Sequence, residues 1–177
     1  RKALDRPAFY YLADRVFRAT RARRMGLDVP IETVSAADAA AVFGRALPVV
    51  PLDSSVEVTP GAPSVATAQA VIEAIARAVG DVRAGLASAV VTAPIAKKTL
   101  YDAGFQHPGH TEFLGTLSAA WTGEAARPVM MLAGPELKAV PVTIHIPLRD
   151  VAGALSERLI VDTARIVATD LRRRFGK

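Results

Sequence analysis

The sequence predicts an α/β protein built on a largely parallel sheet. Short apolar runs that are typical of buried strands alternate along the 177-residue chain with longer segments whose apolar residues recur at helical spacing. Hydrophobic residues make up 51% of the chain but aromatic residues only 6%, which indicates a core of Ala, Val and Leu. A strand that alternates with a helix favours parallel strands joined by helical crossovers.

The first half of the chain alternates strands with capped helices. Its predicted elements are a strand over residues 8–13, a helix capped by Asp14 and stopped at Gly26, a strand over 31–34, and a helix capped by Ser35 that ends near Phe43. The next apolar run, 47–52, contains Pro48 and Pro51. Because proline cannot donate a ladder hydrogen bond, this run is expected to be an edge strand or an extended connector.

The second half continues the pattern after a loop predicted over residues 53–63. Its predicted elements are an amphipathic helix opened by Ser64 or Thr67 and running to Gly85, a strand over 89–91, a short helix over 96–103 stopped at Gly104, a helix to Trp121, strands over 129–132 and 139–144, and a helix from Ser156 to Phe175. Gly176 follows as a helix stop.

Residues suited to chemistry concentrate between Val90 and Gly115. This segment holds two of the three histidines and a Lys-Lys pair, and it follows a predicted strand. Polar side chains in such a place reach the carboxyl end of a sheet, where α/β proteins bind ligands. His110 is the stronger candidate, because the preceding glycine permits close approach and Thr111 or Glu112 can orient the imidazole. His107 is interpreted as a surface or hydrogen-bonded side chain.

Two further positions carry open interpretations. Lys97 and Lys98 fit either a ligand site or a solvated helix face. His145 follows the apolar run 140–144, so its imidazole is expected to be partly buried and to need a partner.

Composition excludes several functions. With no cysteine, the chain forms no disulfide or zinc–thiolate site, so any metal must use histidine and carboxylate groups. The net charge of +5 is concentrated in residues 1–24, with eight basic and two acidic side chains, and mostly in one predicted helix. We therefore expect no nucleic-acid partner. The sequence has no recognisable signal peptide and no apolar stretch that would span a bilayer, which predicts a soluble, cytoplasmic protein with no membrane partner.

Three segments resemble one enzyme family. They read VVTAPIAKKTLYDAGFQHPGHTEFLG, RPVMMLAGPELKAVPVTIHIPLRDV and DLRRRFG. The GHTEF and PLRD motifs, in this order and with the MML strand between them, are similar to the PdxA family of 4-hydroxythreonine-4-phosphate dehydrogenases. The resemblance implies an α/β/α sandwich like that of isocitrate and isopropylmalate dehydrogenases, a homodimer, and NAD or NADP bound without a glycine-rich fingerprint. That fingerprint is absent from this chain.

The resemblance also implies a reaction and site residues. The family oxidises 4-phosphooxy-L-threonine to 2-amino-3-oxo-4-phosphooxybutanoate, which decarboxylates to 3-amino-2-oxopropyl phosphate in pyridoxal phosphate biosynthesis. His110 and Thr111 match its substrate-contacting pair, and Lys97 is a further candidate for this small phosphorylated amino acid. His145 matches one of three histidines that bind a divalent metal (zinc, magnesium or cobalt), in a site shared between subunits. Such a metal acts as a Lewis acid on the substrate hydroxyl.

Two departures from the family pattern shape the expectation. Many members have histidine where this chain has Ala96. The family's opening glycine-rich strand and the segments with the other two metal histidines are not found, so residues 1–177 are interpreted as a single α/β region from the middle of a longer two-domain dehydrogenase, incomplete at both ends. The catalytic and cofactor-binding residues are not assigned, and the activity of these 177 residues alone is in doubt.

Two alternatives stay open. The chain could belong to a sister dehydrogenase of the same fold that acts on a phosphorylated sugar acid or a cyclic diol. It could also be a catalytically incomplete α/β fragment.

Overall fold

The computed structural model describes residues 7–56, 59 and 61–176. The chain divides into two compact units, residues 1–126 and 127–177, and each is described by itself. The interpretation of residues 1–177 as one region of a longer two-domain enzyme stays a prediction.

The first unit contains a three-stranded parallel sheet with its connecting helices. The elements are β1 (Tyr11–Leu12), α1 (Arg15–Arg24), β2 (Ile31–Thr33), α2 (Ala39–Phe43) and β3 (Leu47–Val50). The strand order is β1-β3-β2, and β3 pairs in parallel with both neighbours. The predicted α/β class and parallel sheet are therefore confirmed.

The expected edge strand at residues 47–52 is instead the central strand, which corrects the prediction. Leu47 donates to the Pro30 carbonyl at 2.7 Å and Val49 accepts from Val34 at 3.0 Å, so the backbone groups of both residues face β2. Pro48 faces β1, and its missing N–H falls where β1 has not yet begun, because the first paired residue is Tyr11, opposite Val49. Val49 is 0% exposed. A proline is thus tolerated in a central strand whose neighbour is short.

Helix α1 of the first unit has the cap and the stop that the sequence predicts, whereas the cap predicted for α2 differs. The Asp14 carboxylate accepts from the backbone N–H of Phe17 at 2.7 Å, and α1 ends before Gly26, which has φ 66°. Such a side-chain acceptor satisfies one of the donors at a helix start that lack an intrahelical partner. Ser35 instead stabilises a turn ahead of α2, because its hydroxyl donates to Asp38 at 2.6 Å.

Three further helices complete this unit. They are α3 (Ala68–Arg83), α4 (Lys97–Asp102) and α5 (His110–Thr122). Ser64 caps a 3-10 turn, Val65–Thr67, that leads into α3, and this turn packs against α4. Part of the predicted loop over 53–63, namely residues 57, 58 and 60, lies outside the described residues.

The strand predicted over 89–91 is wrong. Residues 89–96 form no regular element, and Val91 is 97% exposed. A strand is stabilised by ladder hydrogen bonds to a neighbour, and the described residues provide none for this run. Its apolar composition therefore does not by itself indicate burial.

The second unit combines a hairpin with a long helix. Its elements are the antiparallel strands β4 (Leu132–Ala133) and β5 (Lys138–Ala139), then α6 (Val151–Ala154) and α7 (Glu157–Phe175). The strands predicted over 129–132 and 139–144 are thus much shorter in the structure, which pairs only two residues of β4 with two of β5. The predicted final helix is confirmed, with the Ser156 hydroxyl accepting from Leu159 N–H at 3.1 Å and Gly176 at φ 62°. Every described helix is too short or too polar to cross a lipid bilayer.

One hydrogen bond ties the start of the sheet to α3, and it gives a testable pH dependence. The Tyr10 hydroxyl donates to Asp81 at 2.8 Å. Burial, followed by the hydrogen bond to Asp81 and the charge of Asp81, raises the pKa of Tyr10 from 10.0 to about 12, while the charge of Arg77 opposes this shift. A raised pKa means that the native state favours the protonated phenol, so this contribution is complete below pH 10 and is lost as the pH rises to about 12.

We expect Tyr10→Phe to lower the free energy of unfolding by roughly 1–3 kcal/mol at neutral pH, because a hydrogen bond to a charged group is lost. The difference between wild type and Tyr10→Phe should shrink between pH 10 and about 12. Urea unfolding at several pH values measures it, with Tyr11→Phe as the matched control. A difference that stays constant up to pH 12 would show that the bond to Asp81 does not stabilise the fold.

Candidate functional site

The segment between α4 and α5 folds back so that the start of α4 lies beside the start of α5. Gly104, at φ 87°, ends α4 in a left-handed conformation that favours glycine. The Tyr101 hydroxyl then donates to the Pro108 carbonyl at 2.7 Å. Phe105, His107 and Phe113 pack against one another, mostly edge to face, with ring centroids 4.9–5.2 Å apart, which fixes the turn against α5.

Opposite charges converge on Gly109, which is buried. A Cβ at this position would lie 2.8 Å from Glu112 Oε2 and 3.4 Å from Lys97 Nζ. The Gly109 backbone is extended, with φ −171°, so the glycine is needed for space rather than for its conformation. The absence of a side chain here leaves a small cradle between a lysine and a carboxylate.

The first turn of α5 borders the same cradle. Gly109 is the capping residue and offers no side-chain acceptor, so the first N–H groups of this 13-residue helix have no side-chain cap. These groups and the helix dipole favour an anion at this point. His110 Nε2 is buried and has no hydrogen-bond partner among the described residues, whereas Thr111 is exposed. A buried polar atom without a partner is rare in folded proteins.

The structure separates the two neighbouring lysines, which the sequence left open. Lys98 pairs with Asp102 at 2.7 Å on an exposed face of α4, as an i,i+4 ion pair on a helix does. Lys97 instead approaches Gly109. His107 has the structural role expected of it, since its ring packs on Phe105 and Phe113. Of the predicted substrate residues, Lys97 therefore borders the cradle, and His110 and Thr111 directly follow Gly109 in the first turn of α5.

His145 differs from its prediction. It lies in the second unit, exposed and in a bend, because no strand forms over 140–144. No hydrogen-bond partner is found for its imidazole among the described residues, so the expectation of a partly buried, partnered histidine is wrong. Its backbone has φ 58°, which is uncommon for a residue with a side chain and costs of order 1 kcal/mol.

Glu112 and Gly109 take a larger part in the cradle than the sequence indicated. The sequence predicts only that Glu112 can orient His110 and that Gly109 permits close approach to it. A glutamate in the first turn after a glycine cap was the signal available for the cradle, but the approach of Lys97 to that turn depends on how the intervening loop folds.

Filling the cradle gives a direct prediction. In Gly109→Ala the new methyl group meets the mobile end of Glu112, so we expect the free energy of unfolding to change by less than about 1 kcal/mol. The affinity for an anionic ligand should fall about 10-fold, because the methyl group takes its space. Titration with inorganic phosphate and urea unfolding measure the two effects. Gly44→Ala is the matched control, since no atom of the described residues lies within 4 Å of its Cβ; equal phosphate affinities in both variants would contradict the cradle.

Fold and site together define the class: an α/β protein whose candidate ligand site gathers a lysine, a carboxylate and an uncapped helix start. The chain belongs to the family described as pyridoxal phosphate biosynthetic protein PdxA, whose family profile matches residues 5–177. This confirms the family indicated by the GHTEF and PLRD motifs.

Similar proteins with established names support this family assignment. The chain is 51% identical to 4-hydroxythreonine-4-phosphate dehydrogenase of Bradyrhizobium diazoefficiens over 99% of its own length and 53% of the relative. It is 53% identical to the enzyme of that name from Methylorubrum populi, over 96% of the chain and 49% of the relative. The chain therefore spans about half the length of these relatives.

Solved structures show the same likeness. A 4-hydroxythreonine-4-phosphate dehydrogenase from Burkholderia phymatum matches with a TM-score of 0.75 and 28% identity, over 88% of this chain and 46% of that one. The enzyme of that name from Klebsiella pneumoniae matches with a TM-score of 0.75 and 26% identity, over 92% and 48% of the two chains.

Proposed function

We propose that this chain forms part of a cytoplasmic, NAD- or NADP-dependent dehydrogenase that oxidises 4-phosphooxy-L-threonine in pyridoxal phosphate biosynthesis. The product, 2-amino-3-oxo-4-phosphooxybutanoate, loses carbon dioxide to give 3-amino-2-oxopropyl phosphate. Two observations support the proposal. Residues 5–177 match the family profile, and the chain is 51% and 53% identical to two relatives named 4-hydroxythreonine-4-phosphate dehydrogenase. The finer fold that goes with it is the α/β/α sandwich of isocitrate-dehydrogenase-like enzymes, in a homodimer.

The single observation that carries the proposal is the cradle at Gly109. The substrate carries a phosphate and a carboxylate. Lys97 offers them a positive charge, and the start of α5, which has no side-chain cap among the described residues, offers them backbone N–H donors. His110 Nε2, which is buried with no hydrogen-bond partner among the described residues, is available to hydrogen-bond the same ligand. These residues bind and orient the substrate, and the orientation of the reacting carbon follows from fixing its anionic end.

The divalent metal of the proposal needs ligands beyond those described. No three His, Asp, Glu or Cys side chains lie together as a metal site within residues 7–56, 59 and 61–176. His145 alone does not make a metal centre, because one imidazole cannot replace the hydration shell of zinc, magnesium or cobalt. We propose His145 as one ligand of a centre shared between subunits and completed by other residues.

A turnover panel tests the proposal and separates it from the sister enzyme. A protein of the relatives' full length that carries this segment, called here the family-length enzyme, is assayed for NAD and NADP reduction. The substrates are 4-phosphooxy-L-threonine, a phosphorylated four-carbon sugar acid and a cyclic diol. The proposal expects the highest kcat/KM with 4-phosphooxy-L-threonine. A higher value with either other compound would contradict it and favour the sister dehydrogenase.

The alternative of a catalytically incomplete fragment is tested on the 177 residues alone. Calorimetric titration with zinc or magnesium, beside the same reduction assay, measures whether this chain binds metal or turns over substrate by itself. Tight metal binding with turnover would place the whole active site within these residues. Weak binding without turnover in the chain, together with turnover in the family-length enzyme, supports the proposal.

A further inference from the structure

A polar stripe on α3 holds the backbone that leaves the central strand. Glu73, Arg77 and Asp81 follow one another at intervals of four residues, so their side chains share one side of the helix. Asp81 accepts from Tyr10 ahead of β1, and Arg77 donates to the Pro51 carbonyl at 2.6 Å, directly after β3. An amphipathic helix normally presents apolar residues to its sheet. Charged side chains here instead form hydrogen bonds with the Tyr10 hydroxyl and with specific backbone groups.

Glu73 makes the most specific of these contacts. Its carboxylate accepts from the backbone N–H of Asp53 at 2.7 Å and of Ser54 at 3.0 Å, one bond to each oxygen. Arg77 lies 3.8 Å from the same carboxylate, whose side chain is only 14% exposed. Burial alone would raise the pKa of Glu73, but the hydrogen bonds from Ser54 and Asp53 and the charge of Arg77 outweigh it and lower the pKa. The ionised carboxylate is thus the form that holds the loop.

The held loop, Pro51–Ser54, lies where α/β proteins bind ligands. It leaves the carboxyl end of β3, the central strand of the parallel sheet, and this end is the usual ligand edge. Further along the chain, the 3-10 turn Val65–Thr67 packs against α4, which begins at Lys97. The Glu73 clamp, meaning the Glu73 carboxylate with the Asp53 and Ser54 N–H groups that it binds, thus lies at the ligand edge of the sheet. The turn Val65–Thr67, which follows it in the sequence, contacts the helix that supplies the cradle lysine.

We infer that Glu73 is a positioning residue of the proposed enzyme, which fixes the loop Pro51–Ser54 as a wall of the substrate site. The inference rests on the proposed function. Two N–H groups and one carbonyl of four consecutive residues are held by α3 side chains. A loop held in this way keeps its ligand-facing shape before the ligand arrives, which lowers the entropy cost of binding.

Three variants of the family-length enzyme test the inference: Glu73→Ala, Glu73→Gln and, as the matched control, Glu32→Gln. Glu32 also pairs with an arginine, Arg45 at 2.9 Å, but accepts no loop N–H among the described residues. In Glu73→Ala we expect the Asp53 and Ser54 amides to exchange hydrogen about 10-fold faster and KM for 4-phosphooxy-L-threonine to rise about 10-fold, with kcat changed by less than about 3-fold. Glu73→Gln, which keeps an acceptor oxygen, should recover much of both effects, and Glu32→Gln should change neither.

Several results would overturn the positioning role. These are unchanged exchange at Asp53 and Ser54 in Glu73→Ala, faster exchange with unchanged KM, and faster exchange spread over β1–β3 with kcat and KM impaired together. The last result identifies a purely structural carboxylate. A wild-type enzyme without turnover of 4-phosphooxy-L-threonine contradicts the proposed function itself. Normal wild-type turnover with an unaffected Glu73→Ala contradicts the positioning role alone.

Discussion

Replacing His145 with alanine in the family-length enzyme will abolish metal-dependent turnover while leaving the fold intact. The fold should survive because the side chain is exposed and has no hydrogen-bond partner among the described residues. Loss of groups that only orient metal ligands already costs on the order of 10–100-fold in affinity or activity, so loss of a ligand itself should cost at least about 100-fold. Turnover and bound metal per subunit, measured on the same preparation, check this expectation.

Two controls separate the imidazole from its backbone. Leu148→Ala removes an exposed side chain from the same unit and should leave turnover unchanged. His145→Asn keeps a residue type that tolerates the left-handed backbone at φ 58° but removes the imidazole, so it should lose turnover as fully as His145→Ala. A His145→Ala enzyme with stoichiometric metal and near wild-type activity would remove this residue from the metal centre.

The second large effect is expected at the start of α5. His110→Ala and Thr111→Val should each weaken substrate use by roughly 1–3 kcal/mol, because each removes a hydrogen bond to a charged ligand. NAD affinity should change much less, since both residues directly follow Gly109 in the first turn of α5, beside the proposed substrate cradle. Substrate KM, kcat and NAD affinity, measured together, give the comparison.

Thr116→Val is the matched control for Thr111→Val. Thr116 lies on the same helix, and its hydroxyl donates to the Glu112 carbonyl at 3.1 Å, one turn away. It should leave substrate use unchanged. Equal losses of substrate and NAD affinity in His110→Ala would indicate that the histidine supports the fold of this region and does not contact the substrate.

Helix ends could be predicted from the sequence because their causes are local. At helix starts, Asp14, Ser64 and Ser156 each accept a hydrogen bond from a backbone N–H within three residues. At helix ends, the glycine that follows the helix has positive φ, as at Gly26, Gly104 and Gly176. Strands depend on distant partners. The apolar runs 89–91 and 140–144 look like strands, yet neither has a strand beside it among the described residues, and the proline-containing run around Pro48 is central.

The candidate site could be predicted in part. His110 and Thr111 stood out through their motif, and Gly109 through its missing side chain. The distinction between Lys97 and Lys98 could not be predicted, because both sit on one short helix and only the fold of residues 103–109 decides which reaches Gly109. The Glu73 clamp left no sequence signal either, since its two backbone donors lie 19 and 20 residues away.

That pair of lysines provides the most direct test of the substrate cradle. Lys97→Ala and Lys98→Ala make the same substitution at adjacent exposed positions of α4, so the two variants lose the same charge. With 4-phosphooxy-L-threonine and the family-length enzyme, kcat/KM should fall about 10-fold or more in Lys97→Ala, the loss expected for a charge-assisted contact. It should stay close to wild type in Lys98→Ala, whose partner is Asp102. Equal values for the two variants would contradict the assignment of the substrate to the cradle at Gly109.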